Sequence, residues 1–143
     1  MFSISLGILK PDCVSRGLED EALRLVKASG LKIVFRKRIR LSVRQVGVIY
    51  DRCREKLFFS ALVSHMTSGD SILFVVVGED AVKRLNKVVG NTDPKLAKER
   101  TLRQLGESIS RNIAHSSMDA ESFEKEVEIL LSMGELETIR SIN

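Results

Sequence analysis

Few side chains in this sequence of 143 residues can act as a nucleophile near neutral pH, and only two of them are histidines, His65 and His115. An imidazole with an unperturbed pKa of about 6.5 is largely neutral at neutral pH and carries a lone pair able to attack an electrophile. His115 lies in a polar segment with Asn112, Ser116 and Ser117 and has no apolar periodicity around it. It answers either to chemistry or to a plain surface or hydrogen-bonded core position. His65 falls near the end of an apolar, helix-spaced stretch, where a structural role is the simpler reading. Glu126 stands three residues after Phe123 and four before Leu130, at the edge of a helical apolar face. A carboxylate there either reaches out to water or takes a partner, because burying it unpaired is costly. If that partner is His115, the carboxylate fixes the ring's orientation and tautomer. Lys10, Arg103 and Arg111 sit beside the ends of predicted elements, and Thr92 lies in the loop Gly90-Asn91-Thr92-Asp93-Pro94. Hydroxyls, backbone N–H groups and cations so placed can build a phosphate site. Singly, each is more simply a solvated surface group.

These residues need a scaffold. Residues 2–9 alternate and are rich in strand formers, and Lys10-Pro11-Asp12 stops them in a turn. Leu18, Ala22, Leu25 and Val26 keep helical spacing, with Glu19, Asp20 and Glu21 in the first turn and Gly30 closing the helix. A second strand, irregular in its middle, runs over residues 31–41. Ser42-Val43-Arg44-Gln45 has the form of a capping box that starts the next helix. Phe59, Leu62, Val63 and Met66 predict a further short helix, and residues 72–77 form the unbroken apolar run of a buried central strand. Val82, Leu85 and Val89 make one helix face, ended by Gly90. Residues 102–109 predict a short helix and 112–115 a last strand. Asp119 caps a helix that turns Phe123, Val127, Leu130 and Leu131 to one side. Residues 133–143 show no periodic pattern and are expected to fray. Strands and helices alternate with short links and no repeat or linker. That order predicts a single domain over 1–143 with an α+β fold of ferredoxin-like type, an antiparallel sheet with helices packed on it.

Composition sets the class of partner. Hydrophobic residues make up 43% and charged residues 29%, the balance of a globular protein. A chain of this length buries roughly 68% of its unfolded surface and needs no disulfide or metal staple. The net charge of +4 suits nucleic acid, an acidic membrane or a phosphorylated small molecule. Two histidines are too few for a multi-histidine metal site. Cys13 and Cys53 form no C-x-x-C pair and read as reduced thiols of a cytoplasmic protein. The first nine residues lack the basic start of a secretory signal, and the longest apolar run falls far short of the roughly 20 residues of a membrane span. The cluster Arg36, Lys37, Arg38, Arg40 and Arg44 reads as a solvated strand and turn or as a nucleic-acid contact. No aromatic RNA-binding motif accompanies it, so nucleic acid is not the expected partner.

Lys10-Pro11-Asp12, Arg16-Gly17-Leu18, Phe58-Phe59, Met66-x-Ser68-Gly69, Gly90-x-Thr92-x-Pro94, Thr101-x-Arg103 and Arg111-Asn112-x-x-His115-x-Ser117 follow one another in order. Over residues 6–131 the sequence resembles the nucleoside diphosphate kinases, and the N-x-x-H-x-S segment makes the ordered set specific. The resemblance implies a phosphotransferase that moves the γ-phosphate of ATP or another nucleoside triphosphate to its own histidine and then to a nucleoside diphosphate. It implies His115 as the phosphorylated nucleophile, oriented by Glu126 and Ser117. Lys10 and Asn112 would meet the ribose, with Lys10 also near the transferring phosphate, and Tyr50 matches the family's active-site tyrosine. Arg103 and Thr92 would bind phosphates, Phe58 would stack on the base and Leu62 would pack nearby. Stacking reads a π-face and tolerates every base. Mg²⁺ would ride on the β- and γ-phosphates, and the subunits would assemble as a homo-oligomer, hexamer or tetramer.

The resemblance has gaps. Asn86 stands among the nucleotide contacts where the family usually has an arginine, and helical geometry turns Lys83 and Lys87 off that face. Glu99-Arg100 replaces a Pro-Gly, the stretch from Arg103 to Asn112 is one residue short, and Ser116-Ser117-Met118-Asp119 replaces Gly-Ser-Asp-Ser. The tail is shorter than in many members and lacks their aromatic segment. These departures keep open a catalytically weak member that serves as a nucleotide-binding or scaffold protein.

Overall fold

In a computed structural model that describes residues 2–142, the two most apolar strands lie side by side at the centre of an antiparallel sheet. β1 (Phe2–Leu9) pairs with β3 (Ser71–Glu79) from Phe2 opposite Glu79 to Leu9 opposite Ile72. β2 (Lys32–Ile39) and β4 (Ala114–Ser116) flank them in the order β2-β3-β1-β4, the ferredoxin-like arrangement. β3 is buried on both faces because helices cover both, which is why its sequence runs apolar without alternating. One layer packs α2 (Glu19–Ala28) and α5 (Ala81–Val89) on Ile72, Phe74 and Val76. The other packs α3 (Val43–Ile49), α4 (Phe59–Met66), α6 (Ala120–Leu130) and α7 (Met133–Arg140) on Leu6, Ile8, Leu73 and Val75. The irregular middle of β2 is a bulge between Ile33 and Phe35.

Local chemistry sets several boundaries. Ser42 and Gln45 make both bonds of the expected capping box, at 3.1 and 2.9 Å. Asp119 caps α6 by accepting the Ser122 amide at 2.7 Å. Lys10-Pro11-Asp12 is more than a turn: Pro11 opens a short helix, α1 (Pro11–Ser15), where its missing N–H is no loss.

Three further expectations need correction. Residues 133–142 do not simply fray, because α7 is closed at its start by a second capping box, Ser132 with Glu135, and buries Ile139; Asn143 lies outside the described residues. Its apolar contacts are too few to show a period, but the S-x-x-E pattern was there to be read. The helix expected over 102–109 is a 3₁₀ turn that ends at Leu105. Gly106 follows it, and a Cβ there would sit 2.8 Å from Asn112 Cα, so the chain doubles back instead of coiling on. The last strand begins at Ala114 rather than Asn112, because Ile113 has φ 80°, in the left-handed region that breaks a ladder.

The basic cluster is largely tied down. Lys37 pairs with Glu135 at 3.1 Å, Arg38 with Asp70 at 2.8 Å, and Arg40 donates to the Thr67 carbonyl at 3.1 Å.

Candidate active site

The C-terminal end of β1, the start of α1 and the strand β4 converge on one cavity of about 1070 Å³. His115 stands in β4 opposite Ile8, with its side chain 15% exposed into that cavity. Its Nε2 lies 3.2 Å from both carboxylate oxygens of Glu126 on α6. Glu126 is buried, and the Ser117 hydroxyl donates to its Oε1 at 2.7 Å. Ser117 is itself fully buried behind the cavity wall, so it touches the carboxylate and not the cavity. The Tyr50 ring meets the His115 ring edge to face, with centroids 5.2 Å apart at 61°. Burial drives the Tyr50 hydroxyl well above its ordinary pKa, so it stays protonated.

The floor is cationic and buried. Lys10 Nζ donates to the Ser110 carbonyl at 2.8 Å and to Asn112 Oδ1 at 3.0 Å. Burial pulls its pKa down to about 8; the Asp12 carboxylate resists this, and Arg103 and Arg111 add to it. Arg103 reaches the Gly90 carbonyl at 3.0 Å and the Ala114 carbonyl at 3.1 Å, which joins the 90–94 loop to β4. Asn112 donates to the Thr92 carbonyl at 2.9 Å and holds that loop from the other side. Gly90 has φ 94°, and a Cβ there would lie 2.7 Å from Thr101 Cβ, so only glycine lets the loop turn into the cavity. Thr92 lies exposed on the rim. Phe58, 54% exposed at the start of α4, and half-buried Leu62 one turn on form an apolar shelf at the mouth.

All the residues singled out from the sequence surround this cavity except Ser117, which supports Glu126 from behind. Arg111 lies on the lining too. Asn86 has a particular place. It accepts from Ser116 Oγ at 2.6 Å and donates to the Ser117 carbonyl at 3.2 Å, bracing the strand that carries His115. Sequence reasoning gave no site role to several residues of the wall, His65 and Arg52 among them. His65 lines the cavity and is hydrogen-bonded to Asp12, a pairing across 53 residues that no local spacing reveals. Arg52, which touches Met118, also lines it, and only its charge was visible in the sequence.

A histidine backed by a carboxylate, cations on the floor and an apolar shelf at the mouth fit a phosphorylated, aromatic ligand. Comparison with known proteins decides the family. The profile of the family described as nucleoside diphosphate kinase matches residues 4–136. The chain belongs to the nucleoside diphosphate kinase family.

Relatives of that name span nearly its whole length. The chain is 39% identical over 137 residues to the enzyme of Anaplasma phagocytophilum, covering 95% of this chain and 96% of the relative. It is 43% identical over 118 residues to that of Desulfovibrio desulfuricans, covering 82% and 85%. Among solved structures it superposes on the Aquifex aeolicus nucleoside diphosphate kinase with a TM-score of 0.85 at 32% identity, over 94% of this chain and 99% of the other. The enzyme of Halobacterium salinarum, solved in complex with CDP, gives 0.88 at 30% identity, over 94% and 91%. The protein is therefore an enzyme, a nucleotide-binding phosphotransferase with nucleoside diphosphate kinase activity.

Proposed function

We propose that His115 is the residue that takes the γ-phosphate and passes it on, with residues 1–143 acting as one catalytic domain. The pairing of His115 Nε2 with buried Glu126 carries the proposal. An ionised carboxylate only accepts hydrogen bonds, so Nε2 keeps the ring proton and Nδ1 keeps the free lone pair. Ser117, by donating to Oε1, stops the carboxylate from turning away. Nδ1 attacks the γ-phosphorus of a nucleoside triphosphate. The bond from that phosphorus to the bridging oxygen breaks, and the electron pair leaves with the nucleoside diphosphate. Positive charge that develops on the ring is met by Glu126. A second nucleoside diphosphate then removes the phosphate by the reverse steps. The N–P bond is close in energy to the phosphoanhydride, so one site serves both directions.

The other roles follow from position. Lys10 and Arg103 are the buried cations for phosphate oxygens, and Thr92 adds a hydroxyl at the rim. Lys10 and Asn112 face the sugar. Phe58 stacks on the base and Leu62 packs beside it. Tyr50 limits rotation of the His115 ring, and Asn86 holds Ser116 and Ser117 in place. Mg²⁺ brought in with the nucleotide would supply neutralisation of phosphate charge. The carboxylates near the cavity suit a metal that arrives with the nucleotide. Asp51 pairs with Arg54, Glu121 with Lys125, and Glu126 with His115 and Ser117, so phosphates and water would hold the ion.

Incubation with γ-labelled ATP is expected to give an acid-labile, base-stable phosphoprotein, absent in His115→Ala. A folded wild-type protein that binds nucleotide and never labels overturns the assignment. The proposal extends to a cytoplasmic homo-oligomer, hexamer or tetramer. Two free thiols, Cys13 and Cys53, support the location, and the outer edge of β2 supports association. Light scattering on the purified protein reads the assembly.

A further inference from the structure

His65 has no part in the steps above, yet its surroundings are specific. It lies in the last turn of α4, the helix that presents Phe58 and Leu62, and its side chain is 8% exposed. Its Nε2 lies 3.1 Å from Oδ1 of Asp12, a side chain 1% exposed in α1. The other oxygen of Asp12 accepts the Ile113 amide at 3.0 Å. Ile113 has φ 80°, in the left-handed region that a β-branched residue avoids. Its carbonyl is gripped as well, accepting the Lys10 amide at 2.8 Å. This residue turns the chain from Asn112 into β4, two positions before His115.

The Asp12 carboxylate is held in its acceptor form. Burial pushes its pKa up, but the His65 ring N–H, the Lys10 charge and the Ile113 amide outweigh that and keep it below the ordinary aspartate value. His65 Nε2 is therefore the donor. Its Nδ1 is buried without a partner, so the polar tie of the ring runs to Asp12. Among the described residues His65 is the only partner of Oδ1. With that donor gone, a buried oxygen loses its one bond, and the carboxylate is free to turn away from Ile113.

We propose that His65 is a positioning residue: through Asp12 it holds Ile113 in its left-handed conformation and so sets the His115 ring for attack. The base shelf and the nucleophile are thereby joined by one chain of contacts from α4 through α1 to β4. The inference rests on His115 being the phosphorylated residue.

Single-turnover phosphorylation at saturating ATP tests it, alongside nucleotide affinity. His65→Phe keeps a ring and removes the donor. It is expected to slow labelling at least tenfold while the Kd for ADP stays within twofold. His65→Gln places an amide N–H near the position of Nε2 and is expected to label within threefold of wild type. Wild-type labelling by His65→Phe, equal losses in both variants, or a loss confined to the Kd overturns the inference. If circular dichroism shows that His65→Phe does not fold, His65→Asn replaces it, since its shorter amide cannot reach Asp12. A fast Gln and slow Asn variant supports the role, and equal rates overturn it. A wild-type protein that never labels defeats the His115 assignment and this inference together. A labelled wild type beside an indifferent His65 series defeats this inference alone.

Discussion

Two histidine–carboxylate pairs built alike stand at the cavity, although Asp12 lies behind its wall. His115 meets Glu126 through Nε2 at 3.2 Å, and His65 meets Asp12 through Nε2 at 3.1 Å. Both carboxylates are buried, and both spend their remaining capacity on a second donor. What differs is that donor and the far side of the ring. Glu126 is steadied by a side-chain hydroxyl, and its histidine lines the cavity. Asp12 is bonded to a strained backbone amide, and its histidine has its other nitrogen buried. On the proposed assignments, the same pair chemistry makes a nucleophile in one place and a brace in the other. Accessibility of Nδ1 separates the two roles.

The widest gap between the pairs is expected from His115→Ala, which should lower phosphotransfer on the order of 10⁴-fold or more, read by coupled assay and by loss of the acid-labile label. Changes at His65 should leave the label in place. Glu126→Gln comes next. Its amide can bond either tautomer of the ring, and the burst rate should fall by about 10²-fold. Ser117→Ala removes one bond to the same carboxylate, about 1 kcal/mol, and should cost roughly fivefold. Lys10 lies between the pairs and adds a pH signature. Its ammonium persists below about 8 and is lost as pH rises through that value, so kcat/KM for the nucleotide should decline on the alkaline side. Lys10→Arg should move that decline to higher pH. The smallest effect separates held strain from idle strain. Arg100 has φ 67° on the exposed surface and, among the described residues, no carboxylate bonded to its amide as Asp12 is to that of Ile113. Arg100→Gly should raise stability by about 1 kcal/mol in chemical denaturation and leave the rate unchanged.

Much of the scaffold was legible because its signals are local. The apolar run of β3, the Ser42 capping box and the spacing of Val82, Leu85 and Val89 each lie within one element. The short helix α1 hid behind Lys10-Pro11-Asp12, which serves equally as a turn or a helix start. The site was legible through the ordered motifs and not through periodicity, since His115 lies where no period exists. Pairings across the fold were not legible. Asp12 meets His65 across 53 positions and Ile113 across 101, and nothing in the neighbourhood of either marks the contact. Asn86 was readable as a missing charge, but its bonds to Ser116 and Ser117 depend on how α5 lies against β4.

The place of β1 in the sheet has a further consequence for the birth of the molecule. β1 is made first, yet its neighbours are β3 and β4, and its pairing of Ile8 with His115 spans nearly the whole chain. During synthesis this apolar strand must wait for partners that emerge much later, and such distant closures are slow. Until that part of the chain is in place, the lysine that follows β1 has neither Ser110 nor Asn112 to bind, and the cationic floor of the cavity is incomplete. A nascent chain without β4 therefore lacks the wall that carries His115: the oldest strand and the youngest must meet before the cavity is complete.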